Sequence, residues 1–97
     1  MRIPEKIKIG GHTYICKFDD KLSRDTSANG MSCGNSLEII IDSSLPEENQ
    51  ESVLLHEILE QINFRYELNL EHEKITILES ALYQVLKDNK LNFSDRS

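Results

Sequence analysis

Polar and apolar positions alternate from Glu5 to Ile9 and again from His12 to Phe18, with Tyr14, Cys16 and Phe18 on one side and Gly10-Gly11 between the two runs. A period of two interrupted by a glycine pair predicts a β-hairpin, because the tight turns that follow strand twist need positive φ at their central positions. Asp19 to Gly30 has no clear period and ends in Asn29-Gly30, which predicts a loop with a short helical turn. A second hairpin is expected from Met31 to Cys33 and Leu37 to Asp42 around Gly34-Asn35, with Ile39, Ile40 and Ile41 reading as a strand buried on both faces.

Beyond Ser43 the period lengthens. Leu55, Ile58, Leu59, Ile62 and Tyr66 form the stripe of a helix running from Asn49 to about Tyr66, with Pro46 near its start and Glu47 and Glu48 complementing its dipole. Glu67 to Leu70 turns the chain. A second helix is expected from about Glu71 to Asn89, with Ile75, Leu78, Leu82, Val85 and Leu86 facing inward and His72, Glu79 and Tyr83 sharing one flank. The expected fold class is α+β, a small antiparallel sheet of about four strands packed on a C-terminal two-helix hairpin. The chain divides into a β-rich part over 1–48, the helical hairpin over 49–89, and a polar, frayed tail over 90–97 whose one possible anchor is Phe93.

Length and charge narrow the function. Ninety-seven residues support one domain with a modest core. Seventeen acidic against 11 basic residues give a net charge of −6, and no Lys/Arg cluster offsets it, so nucleic acid is not an expected partner. No stretch approaches the roughly 20 apolar residues that cross a bilayer, and Met1 to Lys6 lacks the apolar run of a secretory signal, which predicts a cytoplasmic protein. Cys16 and Cys33 fall in predicted strands without a CxxC pairing and read as reduced core or edge thiols. His12, after a glycine pair, is assigned to no site.

The candidate chemistry lies in the first long helix, where His56, Glu57 and Glu60 form an HExxE run. In the related HExxH pattern, side chains four residues apart project from one helical face onto a metal, and the glutamate between them points at the water that the metal polarises. Here the second histidine is Glu60, and a carboxylate also binds zinc. In a helical hairpin turning near Leu68 and Asn69, Glu79 falls opposite His56 and Glu60, whereas His72 lies nearer the turn and reaches them only if the helices splay or the second starts at an angle. Both are candidate third ligands; two imidazoles and one carboxylate suit zinc better, which favours His72. Glu57 is then the general base. The bland alternative is a solvated acidic face, with Arg65 pairing with Glu60 or Gln61 one turn back.

The run SSLPEENQESVLLHEILEQINFRYELNLEHEKITILESALYQVLKDN resembles small proteins of phages and prophages from Gram-positive bacteria, in which LLHEIIHAI or LLHEIIEAI is followed by LYQVLKDN near the end. These look like reduced zincin metallopeptidase domains, similar in plan to the minigluzincins. The likeness is close from Leu37 to Asn89 and looser over the hairpins. It implies a zincin-like fold, zinc or another divalent metal as cofactor, His56 as first ligand, Glu57 as catalytic glutamate and Glu60 in the second-ligand position, with His72 and Glu79 matching only by their place in the following helix. A zinc-dependent metallopeptidase of phage or mobile-element origin, acting on a peptide or protein held along an edge strand in Met31 to Asn35 or Leu37 to Asp42, is the first expectation. The rival from another class is a catalytically silent acidic binding protein that inhibits or mimics a host partner; a third is a structural domain without metal.

Overall fold

Gly10 and Gly11 take φ values of 58° and 80°, the left-handed region that only glycine enters freely, and so join β1 (Lys6–Ile9) to β2 (His12–Phe18) through the expected two-residue turn. In this computed structural model, which describes residues 3–91, the remaining elements are α1 (Leu22–Thr26), β3 (Gly30–Cys33), β4 (Glu38–Ile41), α2 (Glu47–Tyr66) and α3 (His72–Asp88). Phe93, the expected anchor of the tail, lies outside the described residues. The α+β plan with a C-terminal helical hairpin is present.

The sheet differs from an all-antiparallel one. Both hairpins are antiparallel, but they are joined by β2 and β4 running parallel, with Cys16 opposite Ile39, which gives the order β1-β2-β4-β3. Parallel neighbours need a long crossover, and α1 with β3 supplies it. The consequence for function is direct: β4 becomes an interior strand and β3 an edge. Of the three consecutive isoleucines, Ile39 and Ile41 are fully buried, whereas Ile40 is only half-buried, because the helices cover one face of the sheet.

That covered face carries the core. Ile9, Tyr14, Cys16, Ile39 and Ile41 pack against Leu54 of α2, and burial pushes the Cys16 thiol up. Cys33 is exposed on the edge strand. Phe18, at the end of β2, continues the Tyr14–Cys16 side but is exposed. Arg65 does not pair with Glu60. Its Nε donates to Tyr14 Oη at 2.9 Å and its Nη2 to the Gly34 carbonyl at 2.7 Å, while Tyr14 donates to Gln61 Oε1 at 2.7 Å. One guanidinium thus ties α2 to both hairpins, using the fixed fork of donors that lysine lacks.

α3 packs chiefly on α2, outside the sheet–helix core. Only Ile75 of its apolar positions is buried; Leu78, Leu82 and Val85, expected inside, are 46, 39 and 43 % exposed, and Leu86 is half-buried. Tyr66 is likewise exposed at the end of α2. The reason is geometric: a helix resting on one neighbour, with no third layer, buries a narrower stripe than its apolar letters cover.

Candidate metal centre

The turn between α2 and α3 decides which residues meet. Asn63 accepts from the Leu70 amide at 2.9 Å and donates to the Leu70 carbonyl at 3.2 Å, while Glu67 and Asn69 both sit at left-handed φ. This side-chain bridge folds the connection back on α2, so that the first residue of α3 stands over Glu60. His72 therefore reaches the HExxE helix although it lies close to the turn. Its Nδ1 is 3.3 Å from Glu60 Oε2, and its ring centroid is 5.0 Å from that of His56.

His56 Nε2 lies 3.7 Å from the same Glu60 oxygen, and one donor atom from each of His56, Glu60 and His72 falls within 4.8 Å of the others. Zinc ligands about 2.0–2.1 Å from the metal stand roughly 3.3 Å apart in a tetrahedron, so the separations are near those of a ligand set that closes slightly on a cation. Two imidazoles and a carboxylate also match zinc in chemistry. The donor set fits the metal that the sequence pattern implies. Access is preserved as well, since the His72 side chain is 73 % exposed while His56 is 16 % exposed, leaving one side of the group open.

Glu79 stands outside that trio and faces the other nitrogen of His56, Nδ1, with Oε1 at 3.7 Å. Its second oxygen accepts from the Ser52 hydroxyl. A metal-binding imidazole commonly gives its remaining N–H to a carboxylate, which fixes ring orientation and tautomer. Ser52, Glu79 and His56 have the geometry of such a support chain. Ser52 escaped the sequence reading although it lies four residues before His56, on the same helical face. If Glu79 supports His56 in this way, Glu79→Gln is expected to weaken zinc binding by about 10–100-fold and leave one equivalent bound at saturation. A zinc titration showing no change in affinity would remove Glu79 from the site altogether.

Tyr83, the third member of that flank, donates to Glu51 Oε1 at 2.7 Å; burial first, then the carboxylate it donates to, holds its phenol above the ordinary range. All three flank residues thus face α2.

Glu57, which lines a cleft with the three ligands, lies against Gly30 of β3 and is buried. Burial raises its carboxyl above the usual range; the Ser32 hydroxyl and the neighbouring His56 act in the opposite sense. Ser32 also accepts from Gln61 Nε2 at 2.9 Å. The close approach of strand and helix depends on Gly30, where a Cβ would stand 2.3 Å from Val53 Cγ1 and 3.3 Å from Glu57 Oε2. Gly30→Ala is expected to cost about 1–3 kcal/mol of stability by overpacking, readable as a lower urea midpoint; an unchanged midpoint would mean that β3 yields freely.

Between β3 and the helices opens this cleft of about 920 Å³, lined by β3, by Gly34 after it, and by His56, Glu57, Glu60 and His72. The outer edge of β3, unpaired in the sheet order, runs along it. No protein-family model, curated protein or solved structure matches the chain. No described helix is long and apolar enough to cross a membrane.

Proposed function

We propose that the chain is a zincin-like, zinc-binding protein that cleaves peptide bonds, of the small phage or mobile-element type its helical run resembles. The observation that carries this reading is the convergence of His56, Glu60 and His72 from two helices within 4.8 Å beside a cleft. A divalent ion held by these residues supplies Lewis acidity toward a carbonyl and a water molecule. The protein does the rest. Glu57, one residue along the helix from His56 and lining the same cleft, accepts the proton of the attacking water and returns it to the leaving amine. Burial suits it to that task, because a carboxyl raised above its ordinary range releases and takes up a proton closer to neutrality. Glu79 positions His56, and Asn63 positions His72 through the turn.

Substrate binding follows from topology. An extended peptide adds to the free edge of β3 by main-chain hydrogen bonds, which places its backbone alongside Glu57 and the three ligands. Main-chain hydrogen bonds supply the affinity in this mode, so an unfolded protein, rich in extended segments, is a fair first substrate.

The test is cleavage of unfolded casein by zinc-loaded protein beside Glu57→Gln, which keeps the shape of the side chain and removes the base. The wild type is expected to cleave and the variant to be slower by about 100-fold or more. Equal rates, or no cleavage by either, would remove the peptidase activity while leaving metal binding to be judged by titration.

A further inference from the structure

The outward side of α3 is neither polar nor covered. Leu78, Ala81 and Val85 follow one another at spacings of three and four residues, flanked by Ile77 and Leu82, and all five are exposed, Ile77 at 61 %. At the two ends of the same stripe stand Lys74 and Asp88, each seven residues from Ala81. Seven residues are close to two helical turns, so the three lie in line.

Those end charges are placed against the preference of their own helix. Lys74 is in the first turn, where the helix dipole favours an acid, and Asp88 is the last helical residue, where it favours a base. Among the described residues Lys74 has no ion pair, and Asp88 accepts only from Gln84, four residues earlier. A two-fold axis through Ala81 reconciles these features. An antiparallel copy of α3 then sets Lys74 of each chain against Asp88 of the other, Ile77 against Val85 with Leu78 beside them, and the small Ala81 against itself at the crossing point, where close approach is needed.

We propose that the protein forms an antiparallel homodimer through this face of α3, with the metal cleft of each copy left open on the opposite flank of the helix. The occupant of the apolar stripe is thus a second copy, chosen by the self-complementarity of its end charges. One helix pair covers less than the ~800 Å² per partner of a standard interface, so a weak, concentration-dependent association is expected.

Sedimentation of the full chain over roughly 10–300 µM, with chelator present to exclude bridging by metal, tests this. The wild type is expected to shift from monomer to dimer across that range, and Ala81→Glu, which sets two like charges on the axis, to stay monomeric. Lys74→Glu and Asp88→Lys should each weaken the dimer by roughly tenfold or more, and together restore it to within about threefold of wild type. Both single changes improve the helix's own charge placement, so their loss of dimer cannot come from unfolding. A wild type that is monomeric throughout, a dimer that dissolves in chelator, a dimer indifferent to Ala81→Glu, or a double variant that stays as weak as the singles would each overturn the proposal.

Discussion

His56→Ala is expected to bind zinc more weakly than the wild type by more than about 100-fold, the largest effect of any single change at the site. His56 is the residue on which both layers of the cluster depend: one ring nitrogen faces Glu60 and the other Glu79. Without it the remaining donors are Glu60 and a histidine that is 73 % exposed at the start of its helix. Titration of chelator-treated protein checks this directly, and a thermal scan gives a second reading, since a ligand bound only by the folded state raises its midpoint by mass action. Zinc should raise the wild-type midpoint and leave that of His56→Ala where it was. Glu60→His, which restores the second imidazole, should hold zinc more tightly; weaker retention would argue that Glu60 does not touch the ion.

Replacing Asp42 should damage the fold more than any change at the metal site. Its carboxylate is fully buried at the end of β4 and accepts from the amides of Ser23 and Ser44, at 2.7 and 2.8 Å, and from both their hydroxyls. Those bonds, the Ser23 hydroxyl first and the Ser44 hydroxyl next, hold its carboxyl far below the usual range. Asp42→Ala leaves these donors facing an apolar methyl, and a loss in melting temperature on the order of 10 °C is expected. The pH dependence has a definite sign. A carboxyl depressed in the folded state contributes stability that is complete above its unfolded value, about 3.9, and is lost as pH falls toward the folded value. The wild-type urea midpoint should therefore fall steeply only below about pH 4. Asp42→Asn should show a lower midpoint at neutral pH and a shallower acid slope; parallel curves for the two proteins would show that Asp42 is not the group responsible.

How far the letters of the chain foretold this structure depends on what each kind of signal measures. Glycine pairs and a period of two mark hairpins, and those were legible at Gly10-Gly11 and Gly34-Asn35. They say nothing about which strands become neighbours, so the parallel pairing of β2 with β4, and with it the edge position of β3, could not be read. Amphipathic spacing shows which side of a helix is apolar, not whether anything covers it; Leu78, Leu82 and Val85 were expected inside and are exposed for that reason. The reverse holds for Glu57 and Gln61, charged and polar letters that are buried because Gly30 lets the strand lie against the first and Gly34 lets the following turn lie against the second. At the site, helical spacing brought His56 and Glu60 to one face, and the hairpin brought Glu79 opposite. The reach of His72 rested on Asn63 and on two left-handed residues in the turn, a matter of local backbone that spacing alone does not reveal.

The most direct test is an anomalous difference map at the zinc edge from crystals of zinc-loaded protein. A single peak is predicted about 2.0–2.2 Å from a nitrogen of His56, an oxygen of Glu60 and a nitrogen of His72, with Glu79 on the far side of the His56 ring. A peak bound by Glu79 in place of His72, or no peak among these residues, would contradict the account.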